Sequence, residues 1–202
     1  MPTNRRLHAV VVGLLCIATT AACASTKMTS MLNPEVASSR YSRIVVAFPL
    51  SDLELRKDAE LTFAGGGADD RFLPSHQLFF PGKQYSEEEI AEVFERERVD
   101  AVLAIGLSDA GSSGAYIPQT STTSCSLWSS SQGCLQTTTT AGGFSVKKPW
   151  ANFVMMLLDT QANVVWVATA STGGNALADS KDLVRSMAKK TREQLARDGL
   201  IR

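Results

Sequence analysis

The chain has no surplus of either charge. Across 202 residues, 20 lysines and arginines balance 20 aspartates and glutamates. That excludes the basic excess expected of a nucleic-acid binder. Histidine is scarcer: His8 and His76 are the only two. Because His8 falls in an N-terminal stretch that reads as cleaved, a histidine-based metal site or a Ser–His–Asp nucleophile lacks members, and neither metal nor cofactor is expected. The remaining His76, close to Pro74, reads as a surface-loop residue. No apolar run reaches the about 20 residues that a spanning helix needs. Cysteine is rare as well, four in all, and the positions of those four are the most informative feature of the chain.

Arg5 and Arg6 precede "AVVVGLLCIATTAA", residues 9–22, an apolar run ending in small residues. A positive flank, a short apolar run and small residues make a secretory signal over residues 1–22. "TTAAC" resembles the lipobox of bacterial lipoproteins, in which the cysteine, here Cys23, is lipidated and becomes the new N-terminus. "ACA", ending at Ala24, also meets the small-x-small requirement of an ordinary signal peptidase, which would release a soluble periplasmic chain. The lipidated reading places the protein at the bacterial outer membrane, since Ala24 rather than an aspartate follows the cysteine, with the domain facing the periplasm. Cys16, preceded by Leu15, is an apolar filler that leaves with the signal. Removing the signal leaves 18 basic residues against 20 acidic ones.

Residues 23–40 are polar and without evident period, the composition of a flexible tether. From residue 41 the chain reads as one domain. "RIVVAFPL" is a continuous apolar, β-branched run, as in a buried strand. "SDLELRKDAELTFAGGG" puts Ser51 and Glu54 at capping-box spacing ahead of a helix that the glycines stop. A short strand is expected at 77–80. Ser86 and Glu89 then cap a second helix, with Ile90, Val93 and Phe94 facing inward. "DAVLAIGLSDA" is the next strand, and residues 112–148 read as an inserted polar hairpin with arms at 116–124 and 135–146. "WANFVMMLLD" and "NVVWVATAST" pair as an antiparallel hairpin. The last helix is capped by Ser180, buries Val184, Met187, Ala188, Thr191 and Leu195, and ends at Gly199. The expected class is α/β (α+β): a single mixed-sheet sandwich, β-α-β-α-β followed by antiparallel strands and a C-terminal helix.

Four groups of residues are candidates for function. In an oxidising periplasm Cys125 and Cys134 form a disulfide, which the chain-entropy model values at roughly 2.7 kcal/mol. Trp128, Leu127 and Leu135 near the same tip either fold back onto the sheet or form an aromatic anchor for a protein partner. On the last helix Lys181, Arg185, Lys189 and Arg192 fall within about 80° of arc. Such a stripe is either a snorkelling edge over the core or a contact for anionic headgroups or an acidic partner. Ser108 and Asp109 close a strand, where α/β folds often place sites. "GLSDAG" is not the G-x-S-x-G elbow of a hydrolase, so these two residues support only an alternative ligand-binding or hydrolytic cleft. The triple glycine at Gly65–Gly67 follows a helix instead of opening one, and Asp69 with Asp70 reads as a solvated turn.

"DAVLAIGLSDAG", "MMLLDTQANVVWVATAST" and "LVRSMAKKTREQLARDGLI" together resemble a broad group of bacterial envelope lipoproteins. In these a "D-x-x-x-x-x-V-W" hairpin, here Asp159 to Trp166, precedes a helix ending in "DGLI". Their domain is similar to the N-terminal α/β domain of TolB and to the curli secretion lipoprotein CsgG. The resemblance implies a lipid-anchored envelope protein that binds or assembles with protein partners and has no catalytic residues.

Overall fold

Ile44, Val45 and Val46 are all buried, because the strand they form lies where both faces of the sheet are covered. The structure, a computed structural model, describes residues 24–36, 39–65, 70–127 and 134–201. The signal segment, Cys23, Trp128, Gly66, Gly67 and Asp69 lie outside these, and along 122–127 and 134–139 only the backbone is described. In chain order the elements are β1 (Ala24–Leu32), a 3₁₀ turn (Pro34–Val36), β2 (Ile44–Ala47), α1 (Leu53–Phe63), β3 (Phe72–Pro74), α2 (Ser75–Leu78) and α3 (Glu87–Glu97). There follow β4 (Ala101–Ile117), β5 (Thr120–Leu127), β6 (Cys134–Ala141), β7 (Phe144–Asp159), β8 (Val164–Gly174) and α4 (Ser180–Arg197).

Six strands make one mixed sheet in the order β1-β8-β7-β4-β2-β3, and β5 pairs with β6 in a separate ribbon. β2 runs parallel to β3 and β4, while the pairs β4–β7, β7–β8 and β1–β8 are antiparallel. This is the mixed α/β sandwich that the element order predicts. Helices α1 and α4 cover one face, where Phe48, Phe63, Leu103, Ile105, Met155, Leu157, Trp166 and Met187 form the core. On the other face α3 lies near Val102 and Leu158. Beyond its reach Met31, Val154 and Met156 stay exposed.

The tether expected at 23–40 is instead a strand over its first part. Residues 24–32 alternate half-buried and exposed and pair with β8 from Ala24↔Gly174 to Leu32↔Trp166. The inward set includes Thr26 and Ser30, whose hydroxyls bond Ser186 at 2.8 Å and Asp198 at 2.8 Å. Polarity hid the period of two, because these inward side chains bury by hydrogen bonding to a helix.

Two caps sit one residue from their expected places. Asp52, not Ser51, accepts from the amides of Glu54 and Leu55, and Asp179, not Ser180, forms the capping box with Asp182. In both pairs a carboxylate beside a hydroxyl takes the role, as its charge also complements the helix dipole. Ser86 and Glu89 do form the reciprocal box. Gly199 adopts φ +78° just past Asp198, the left-handed stop that glycine favours. The short strand expected at 77–80 is displaced to β3, and Ser75–Leu78 is a single helical turn. All five residues assigned to the buried stripe of the last helix are buried, with Leu183 added.

The motif residues behind the family resemblance explain one another as fold contacts. Asp159 accepts from the amides of Gln161 and Asn163 and from the Asn163 side chain, tying the β7–β8 turn. The Asn163 hydrogen bonds hold its carboxyl below the usual aspartate range, against a smaller opposing effect of burial. Trp166 donates its indole N–H to Asp198 Oδ2 at 2.7 Å. Leu200 and Ile201 are buried, and the Leu200 carbonyl accepts from Tyr41 N–H.

Candidate functional site

The expected insertion at 112–148 is not separate from the sheet. β4 and β7 continue into it, pairing from Ser112↔Pro149 to Ile117↔Phe144. Those six ladder pairs extend about 20 Å beyond the Gly111↔Trp150 rung, and β5–β6 prolongs the chain from their ends. Ser, Gly and Thr in the arms obscured this continuity, since such residues signal loops more often than long strands. From residue 111 to residue 158 the sequence contains no aspartate or glutamate, while Lys147 and Lys148 are both in the arm. Tyr116, 65% exposed, stands on its flank.

Within β5–β6, Cys125 pairs with Gln136 and Cys134 with Leu127. The two cysteines are therefore diagonal, a separation of about 7–8 Å. A disulfide spans about 4.4–6.8 Å between Cα atoms, so the bridge requires these two positions to come closer than a regular diagonal pair. Leu127 and Leu135 lie in the same ribbon, and the anchor expected at Trp128 falls outside the described residues.

At the root of the arm is an apolar groove of 220 Å³. Phe48, Leu50, Leu55, Leu107, Trp150 and Leu183 line it, together with the start of α4. Among the side chains of the described lining residues only the Ser180 hydroxyl and the Trp150 indole N–H are polar. Trp150 lies close against Gly111, where an added Cβ would meet the indole at 3.0 Å. The groove is concave and its walls are mostly apolar, which suits an apolar ligand.

Ser108 and Asp109 occupy an irregularity of the β4–β7 ladder between Leu107 and Asp109. The Ser108 hydroxyl donates to the Asn152 carbonyl at 3.0 Å. Ser108 borders a shallow depression with Lys27, Thr29, Asn152 and Ser171 on the open sheet face. No base is placed against that hydroxyl among the described contacts.

Three of the four cations singled out on α4 have partners within the chain. Lys181 pairs with Asp58 at 2.7 Å, Arg185 with Asp182 at 2.8 Å, and Arg192 donates to the Phe63 carbonyl. The hydrogen bond that Lys181 donates to Asp58 raises the Lys181 pKa. Lys189 is exposed beside them. The stripe thus mainly ties α4 to α1 and to itself.

Sequence reasoning missed a buried carboxylate. Glu60 on α1 is fully buried and accepts from the Phe48 amide (3.1 Å), Arg56 Nε (3.0 Å), the Ser75 hydroxyl (2.7 Å) and the His76 amide (2.9 Å). Its Oε2 also lies 2.7 Å from His76 Nδ1. His76 is accordingly a partner of the core rather than a free loop residue. Burial by itself would raise the Glu60 pKa, but the donors from His76, Ser75 and Phe48 outweigh it and hold the carboxyl below the usual range. The available signal was Arg56, one turn before Glu60, with Ser75 and His76 following a strand. Every donor comes from the fold, so this cluster clamps β2, α1 and the β3–α2 corner together. Among the described residues no group of three or more His, Cys, Asp or Glu is arranged to hold a metal.

The sequence matches no family profile and no curated protein. Among solved structures the chain is similar to a single-residue variant of the PelC dodecamer from Paraburkholderia phytofirmans, at 16% identity and TM-score 0.44, covering 84% of this chain and 98% of that one. A second PelC dodecamer structure from the same organism gives 16% identity, TM-score 0.41, and coverage of 88% and 99%. A PDZ domain protein from Parabacteroides distasonis gives 8% identity, TM-score 0.32, and coverage of 93% and 40%. Likeness at this level transfers no activity, partner or stoichiometry.

Proposed function

We propose that the protein is a non-enzymatic lipoprotein of the bacterial outer membrane, anchored through Cys23, that scaffolds an envelope assembly by presenting its arm to a protein partner. The observation that carries this reading is the arm itself. It runs six ladder pairs past the shared sheet, exposes Tyr116 and has no carboxylate along its length. Among the described residues β5 and β6 pair only with each other, so the ribbon has little role in holding the domain together. It does offer an extended basic and aromatic surface suited to recognition.

The start of β1 and the root of the arm lie at the same end of the sheet. The row Ser25–Gly173–Trp150–Gly111 crosses the sheet, and β1 descends from this row while the arm rises from it. A lipid on Cys23 would therefore hold the arm at the membrane, where an envelope partner would meet it.

The test is recovery of partners from native membranes. Replacing Tyr116 by alanine together with Lys147 and Lys148 by glutamate is expected to weaken capture of the principal partner by about 30-fold, corresponding to about 2 kcal/mol for a hot spot. Unchanged capture by a folded variant would discard the arm as the recognition element.

A further inference from the structure

We infer that the apolar groove at the root of the arm holds the methyl end of one acyl chain of the chain's own lipid anchor, an inference that rests on the lipidation of Cys23 proposed above. Ala24 is already in β1, opposite Gly174, so no tether separates Cys23 from the folded domain. Gly174 in turn touches the groove wall: a Cβ placed there would lie 3.2 Å from Pro149 and 3.4 Å from Leu183, and both residues line the groove. One peptide step and one strand spacing put residue 23 within about 15 Å of that wall. A bilayer acyl chain reaches about as far, being half of a hydrocarbon core about 30 Å thick.

The lining selects the chemistry of the occupant. A peptide inserted here would bring more amide groups than the Ser180 hydroxyl and the Trp150 indole N–H could pair, at a desolvation cost that an acyl chain does not incur. A charged headgroup finds no countercharge among the lining residues. The volume of 220 Å³ takes only the terminal part of an acyl chain, given that an apolar cavity of about 150 Å³ holds the six carbons of benzene. Tethering at Cys23 supplies the chain at the high effective concentration of an intramolecular ligand. Occupancy would pin the groove end of the domain to the membrane and fix the direction of the arm, which a free anchor would leave to rotate.

The test uses the native full chain in growing cells. A fatty acid carrying a diazirine near its methyl end is supplied for incorporation into the anchor and the phospholipids, the cells are irradiated, and the purified protein is mapped by mass spectrometry. The expected product is an intramolecular crosslink from the Cys23 lipid to a peptide within 149–155 or 180–185, lost in Ala110→Trp, which fills the groove. Three results overturn the inference while leaving the anchor in place: a labelled Cys23 crosslinked only to bulk lipid, groove peptides carrying a phospholipid adduct, or groove peptides joined to another protein. A Cys23 that carries no label overturns the anchor as well.

Discussion

Glu60→Ala is expected to lower the stability of the folded domain by about 3–5 kcal/mol, the usual consequence of removing one partner from a buried charged cluster. The carboxylate is fully buried and takes hydrogen bonds from Phe48, Arg56, Ser75 and His76. Its removal leaves those donors facing a void. Glu60→Gln preserves the volume and one acceptor, so its cost falls to about 1–3 kcal/mol. The two variants also differ from the wild type in pH response. Because the folded-state pKa of Glu60 lies below its usual value, its contribution is fully present above the unfolded-state value of about 4.3. It is lost as the pH falls from there through the folded-state value. Urea unfolding from neutral to acid pH should therefore show an acid loss in the wild type that Glu60→Gln flattens. An equal acid limb in both would remove Glu60 from the explanation.

Trp166→Ala is the second large effect, at about 3–5 kcal/mol. The indole is wholly buried, and its N–H bonds Asp198. Asp198 also receives Ser30 and Gln194, so the loss should spread to the edge strand. Amide exchange along Ala24–Leu32 is expected to accelerate more than along Ile44–Ala47. Trp166→Phe keeps most of the ring but not the donor, and should cost closer to 1 kcal/mol for the hydrogen bond alone. Equal exchange in the two strands would show that Asp198 does not couple the terminal helix to β1.

These two residues also show where the sequence could be read and where it could not. Trp166 and Asp198 were visible as motifs, because a buried aromatic in a strand and a helix-ending aspartate each leave a local signature. Their contact was not, since it joins positions 32 residues apart. The stripe of α4 and the Ser86–Glu89 box were legible because both obey local spacing rules. β1 was not, since its inward threonine and serine satisfy themselves on α4 and so resemble a linker in composition. The arm was concealed in the same way: residues 112–117 are small and polar, yet they pair continuously with β7. Glu60 left almost no trace, because a glutamate within a helix is ordinarily its wet face. The groove could not be foreseen at all, as its walls come from the segment after β2 and from α1, β4, β7 and α4 together.

Lipidation of Cys23 is decided by the intact mass of the protein purified from the membranes of its native host. The expected result is a chain that begins at Cys23 and carries acyl groups on it. A chain that begins at Ser25 and carries no lipid would contradict the anchor, and with it the proposed occupant of the groove.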